Sequence, residues 1–147
     1  MKKWMPGKRA DVYSMLEVYN IKTDEREVLA EFDYVIEAPN WTPDGKTLIY
    51  NSLGEIFSFD LESRKSKLID TDFVRTCNND HVLSPDGKSL GISAWTEEDH
   101  KSRVYIVPIA GGTPQLITPV GPSYLHGWSP DGKTLAYCGN RDGIFDI

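Results

Sequence analysis

Short apolar runs, each bounded by Gly, Pro, Asp or Asn, succeed one another along this chain. Thr47-Leu-Ile-Tyr-Asn51, Glu55-Ile-Phe-Ser-Phe-Asp-Leu61 and Ser66-Lys-Leu-Ile69 form one group. Ser89-Leu-Gly-Ile-Ser93, Arg103-Val-Tyr-Ile-Val-Pro-Ile109 and Pro114-Gln-Leu-Ile-Thr118 form a second. Runs of this length rich in β-branched and aromatic residues predict strands, here named B, C and D. A fourth strand, A, precedes each B: His81 to Ser84 in the second group, and Leu125 to Ser129 in a third. The A-to-B turn reads Thr-Pro-Asp-Gly-Lys at 42–46 and Ser-Pro-Asp-Gly-Lys at 84–88 and 129–133. Proline presets the second position of a β-turn, while Asp and Gly tolerate the conformations that follow. Asp44 and Asp86 are 42 residues apart, and Asp86 and Asp131 are 45 apart. Such a period marks a repeat architecture. No segment sustains the 3.6-residue period of a helical solenoid.

Several of these strands carry adjacent apolar residues instead of alternating ones, as in Ile56-Phe57 and Val104-Tyr-Ile-Val107. Strands of that kind are covered on both faces. Four-stranded antiparallel sheets stacked radially meet the requirement, so the fold class is all-β, a β-propeller. Tyr13 to Asn20 and Glu25 to Glu31 read as strands C and D of an earlier blade. The chain then forms a single partial propeller domain, with a partial blade at 10–37, blades at 38–79 and 80–124, and an incomplete blade at 125–147. That is about three blades, half of a six-bladed ring, whereas closure takes about four or more. Open strand edges and apolar faces favour association. The chain is expected to be the first half of a longer product, or to pair as a homodimer that closes a six-bladed ring.

The formal charge of −6 opposes nucleic-acid phosphate, and no Lys/Arg cluster forms a basic stripe. Neither nucleic acid nor a membrane is an expected partner. The start, MKKWMPGKRADV, is basic but lacks the apolar stretch of a signal peptide, so as written the product reads as cytoplasmic. Cys77 and Cys138 lie 61 residues apart with no C-x-x-C spacing, which predicts two reduced thiols.

The phrase W-[ST]-P-D-G-K-x-[ILV]-A-[FY] with a following G-G-x-P-x-x-[IL]-T resembles the propeller repeat of TolB-related proteins. It is carried by Trp41 to Tyr50, Leu83 to Ile92, Trp128 to Tyr137 and Gly111 to Thr118. The resemblance implies a six-bladed propeller of which this is half, and a protein partner at the propeller mouth. Similar repeats form the propeller of prolyl-oligopeptidase-type peptidases and the scaffold of oligogalacturonate lyases, so activity does not follow from fold.

Asp44, Asp86 and Asp131 recur in every repeat, as turn residues must and catalytic residues need not. Trp41 and Trp128 likewise share a repeat position and are expected to pack between blades. The histidines stand apart. His81 and His126 each lie four residues before the turn proline, where the first blade has Pro39. Both are expected on the innermost strand, toward the rim that bears the D-to-A loops. His100, in the B-to-C insert Ala94 to Ser102, rises from that rim too. Asn78, Asn79, Asp80, Tyr124 and Glu37 accompany them. Such a group suits a small ligand or peptide, or a divalent metal held by His81 and His126, the one cofactor these residues leave open. No histidine has a Ser or Cys partner in a recognisable strand-to-helix elbow, and Gly111-Gly112 has no Lys-Ser/Thr after it. The expected function is therefore a non-enzymatic propeller module that binds a protein partner or small ligand at the histidine-bearing rim. The alternatives are a metal-assisted lyase or hydrolase on the same rim, and an accessory propeller of a serine peptidase.

Overall fold

A computed structural model describes residues 12–147; the basic start that carried the localisation reading lies outside these. Among the described residues every regular element is a strand. Strands β1 (Ser14–Asn20) and β2 (Glu25–Phe32) form a two-stranded sheet, the C and D strands of a half blade. The second sheet is β3 (Glu37–Trp41), β4 (Thr47–Ser52), β5 (Glu55–Asp60) and β6 (Lys65–Ile69), hydrogen-bonded in that order. The third is β7 (Cys77–Leu83), β8 (Ser89–Trp95), β9 (Ser102–Pro108) and the short β10 (Gln115–Leu116). The last joins β11 (Ser123–Trp128), β12 (Leu135–Arg141) and β13 (Ile144–Asp146). All pairings are antiparallel. The A strands begin at Glu37, Cys77 and Ser123, slightly ahead of the boundaries read from the turns.

Burial explains the adjacent apolar residues. Along β4, Leu48 and Tyr50 enter a core shared with Leu16 and Leu29 of the half blade. Ile49, on the opposite face, joins Leu90, Ile92 and Val107 of the next blade. Side chains alternate across a strand, so a strand between two blades must be apolar on both faces. On β12, in the last described sheet, Ala136 is exposed.

The three Pro-Asp-Gly turns are copies of one another. The Thr42 hydroxyl donates to Asp44 Oδ1 at 2.6 Å, and the Lys46 N–H donates to the same oxygen at 3.1 Å. Ser84 and Lys88 serve Asp86 at 2.6 and 3.0 Å, and Ser129 and Lys133 serve Asp131 at 2.6 and 3.1 Å. These donors, the hydroxyl above all, hold the three carboxyls below the usual aspartate range. Gly45, Gly87 and Gly132 adopt φ of 69°, 69° and 70°, which a side chain rarely tolerates. A Cβ on Gly87 would also lie 3.2 Å from the Pro43 ring of the preceding turn. The repeated aspartates are thus occupied in building the turns.

Candidate functional site

Each A strand is irregular where it passes the channel. The register shifts between Glu37 and Asn40 in β3, between Cys77 and His81 in β7, and between Leu125 and Gly127 in β11. Such irregularities re-aim side chains and are common beside binding sites. The three A strands also approach one another in order, β3 to β7 and β7 to β11. Asn40 bridges the first pair, its amide donating to Ala38 O at 2.8 Å and to His81 O at 3.1 Å. Ala38 itself sits at φ 50°, unusual for a residue with a side chain.

These shifts separate the two histidines. His81 pairs with Ile92, but in the last blade Leu125 pairs with Tyr137, and His126 falls in the bulge. Ile92 and Tyr137 each lie seven residues after their turn proline, so Leu125, not His126, is the structural counterpart of His81. His81 is 2% exposed and lies between blades, with Nε2 3.3 Å from Ile49 O. A neutral ring with its proton on Nε2 satisfies that contact; Nδ1 is buried without a partner. Burial lowers the pKa of this imidazole, against the raising influence of the Ile49 and Ala38 carbonyls. His126 is exposed. The expected placement of both rings at one rim position is corrected accordingly: one residue of bulge sends them to different environments.

Asp80 and His126 are close enough to interact electrostatically. Asp80 is half-buried, and burial raises its pKa. The Asn78 side chain, donating to Asp80 Oδ2 at 3.1 Å, and the nearby His126 charge oppose that rise. The Asp80 N–H donates in return to Asn78 Oδ1 at 2.9 Å, which fixes both side chains. Asn79 is exposed beside them, and Tyr124 is half-buried on β11 opposite Cys138. Glu37 accepts a hydrogen bond from Asn51 Nδ2 at 3.1 Å, while Asn51 Oδ1 is buried and unpartnered. His100 lies farther out, on the connection between the second and third strands of its blade. Its exposed ring packs near Trp95, with centroids 5.7 Å apart. It sits at φ 54°, and its N–H donates to Thr96 O at 3.0 Å.

Asn40 and Asn51 belong to this polar wall although the sequence reading passed over them. The available signal was a single amide in each of β3 and β4, beside Trp41 and Tyr50 respectively. Among the described residues no three or more His, Cys, Asp or Glu side chains gather as a metal site. Both cysteines are free, Cys77 buried and Cys138 half-buried.

The family description "TolB beta propeller domain" matches residues 8–147. An uncharacterized protein of Agrobacterium fabrum is 46% identical over 142 residues, which is 96% of this chain and 48% of that protein. A Tol-Pal system protein TolB of Francisella tularensis is 27% identical over 93 residues, covering 62% of this chain and 21% of that protein. The solved structure of a TolB-like protein from Agrobacterium tumefaciens superposes with a TM-score of 0.85 at 47% identity. It covers 91% of this chain and 48% of that one. The chain thus spans about half the length of the protein it matches at 46% identity.

Proposed function

Because the chain belongs to the TolB β-propeller domain family, we propose that it serves as a binding module for a protein partner, engaged at the channel wall where Asn78, Asp80 and His126 meet. One observation carries this reading. A half-buried carboxylate with a raised pKa stands near an exposed imidazole, on strands that each carry a register shift at that point. Glu37 and Asp80 are acceptors and neither is fully buried, so the wall favours a ligand that supplies N–H donors. A peptide segment with a free amine, Lys or Arg meets that need, and a carboxylate that is half desolvated gains most from such a donor. The Francisella relatives are named for the Tol-Pal system; only the binding of a protein partner is carried over to this chain. A metal-assisted reaction would need ligands beyond the Asp80–His126 pair, and no observation favours it.

The second part of the proposal concerns partners of its own kind: two copies associate and close a six-bladed ring. The exposed outer faces of the half blade and of the β11–β13 sheet support it.

An array of unrelated decapeptides, probed with the wild type and with an Asp80→Asn/His126→Ala variant, tests the site. Peptides lost on substitution are expected to be enriched in Lys, Arg or a free amino terminus. An array in which no peptide distinguishes the two proteins overturns the assignment.

A further inference from the structure

Two hairpins on the rim that bears the D-to-A loops share one turn but not one chemistry. Ser52 pairs with Glu55, and Arg141 pairs with Ile144, so each hairpin closes through two residues. Leu53 and Gly54 adopt φ of 54° and 86°, and Asp142 and Gly143 adopt 52° and 85°. Such a loop places both residues in the left-handed region, and Asn-Gly or Asp-Gly is the favoured sequence. Asp142-Gly143 follows that preference. Leu53 breaks it, because left-handed backbone is costly for a bulky side chain that has no local hydrogen-bonding group. The other described residues with side chains at positive φ have a visible reason to be there. Asp24, Asp72 and His100 are of types that tolerate the region. The Arg64 guanidinium is anchored on Glu27, Val28 O and Leu29 O, and Ala38 presents its carbonyl to Asn40.

Burial does not offset the cost at Leu53, since the residue is 43% exposed. A half-exposed leucine is ordinary by itself; one held in a turn that prefers Asn or Asp is not. Nor is the tip loose. The Ser52 hydroxyl donates to Val35 O at 2.7 Å, and Gly54 O accepts from the Cys77 N–H at 2.9 Å. A Cβ on Gly54 would collide with Arg75 O. The connections on both sides of the tip, 33–36 and 70–76, are thus in place and still leave Leu53 exposed. The same contacts tie the tip to both strands that carry the wall's carboxylates. Glu37 of β3 accepts from Asn51, two residues before Leu53. Cys77, bonded to Gly54, is the first residue of β7 and lies three before Asp80. At about 3.3 Å per residue, about three to five residues of extended peptide reach from the tip to either carboxylate.

We infer that Leu53 is an apolar contact for the peptide whose amine, Lys or Arg meets Glu37 and Asp80. This rests on the peptide-binding reading above and deepens it by adding a second requirement to the partner. The partner carries an aliphatic or aromatic side chain about three to five residues from its cationic group. Asparagine at position 53 would make a more stable turn and a poorer contact. Leucine there destabilises the free turn, whereas covering its exposed part with an apolar side chain of the partner strengthens binding by about three- to tenfold. Beside the tip, Arg75 is ion-paired to Glu55 at 3.0 Å and to Asp70 at 2.9 Å. These charges satisfy one another and border the leucine, which gives the contact an apolar centre and a polar edge.

The decapeptide array, with urea unfolding of the same proteins, tests it on wild type, Asp80→Asn/His126→Ala, Leu53→Asn and Leu53→Met. Leu53→Asn is expected to raise the urea midpoint, because asparagine suits the turn. It is also expected to weaken, by about three- to tenfold, a subset of the peptides that Asp80→Asn/His126→Ala loses. That subset is expected to carry Leu, Ile, Met or Phe about three to five residues from Lys, Arg or the free amino terminus. Leu53→Met keeps an apolar side chain and is expected to keep those peptides. A lower midpoint for Leu53→Asn would mean that leucine stabilises the turn, and it overturns the inference. An array unchanged by Leu53→Asn, while Asp80→Asn/His126→Ala still loses peptides, overturns the Leu53 contact and leaves the wall standing. Peptides lost by Leu53→Asn but kept by Asp80→Asn/His126→Ala would show that the two do not serve one ligand, which also overturns it. An array in which no peptide distinguishes Asp80→Asn/His126→Ala from wild type overturns the wall and the Leu53 contact with it.

Discussion

Gly91, on β8, faces Leu125 and Trp128 of the next blade, and the Trp128 indole donates to Val82 O at 3.0 Å. The Gly91 backbone is not in the left-handed region, so alanine is allowed there, and in an open strand Gly→Ala gains about 0.5–1 kcal/mol. At this site the added methyl would come within 2.5 Å of Leu125 Cδ2 and 3.3 Å of Trp128 Nε1. Leu125 is 1% exposed and cannot swing away freely. Overpacking of this kind costs about 1–3 kcal/mol, and displacing the indole from Val82 O forfeits about 0.5–1.5 kcal/mol more. Gly91→Ala is therefore expected to destabilise by about 1–3 kcal/mol net. Gly127→Ala, where no atom lies within 4 Å, should be neutral or stabilising. Urea unfolding at constant slope reads the difference directly as a lower midpoint for the first variant only. Leu125→Val, which shortens the clashing branch, should recover part of the loss, with a coupling of about 0.5 kcal/mol or more. If Gly91→Ala matched Gly127→Ala in midpoint, or if Leu125→Val showed no coupling, the proposed contact between these blades would be wrong.

Two further outcomes concern the titrating groups. The pKa of His81 is lowered in the fold, so its contribution is present above the unfolded value, about 6.5, and is lost as pH falls from there toward the folded value. His81→Leu, which copies Leu125, is expected to fold and to remove that part of the acid sensitivity in urea midpoints measured from pH 7 to 5. The pKa of Asp80 is raised, so ionising it opposes folding as pH rises past the unfolded value near 3.9. Asp80→Asn should therefore flatten the fall in stability above that pH while weakening peptide capture; a steeper fall would contradict the burial argument.

The architecture was legible because it depends on local chemistry that each repeat must restate. Pro43, Pro85 and Pro130 set the turns, and the following Asp and Gly complete them with the same hydrogen bonds each time. The two-sided burial of β5 and β9 was visible in their adjacent apolar residues, Ile56-Phe57 and Val104 to Val107. The site was only partly legible. Counting back four residues from Pro85 and Pro130 placed His81 and His126 together, but a bulge in β11 adds one residue to the count. A strand has a side-chain period of two, so that single residue exchanges the inward and outward faces. Bulge positions depend on packing from neighbouring blades, which no short window of sequence contains. Asn51 was hidden for a related reason: its amide matters only because Glu37, on the adjacent strand, lies within 3.1 Å.

The sorting of the histidines is the claim on which the site rests, and diethyl pyrocarbonate labelling with peptide mapping tests it most directly. In the folded protein the reagent is expected to modify His126 and His100, both exposed, and to leave His81 intact until the chain is unfolded in urea. Modification of His81 at the rate of His126 under native conditions would contradict the account.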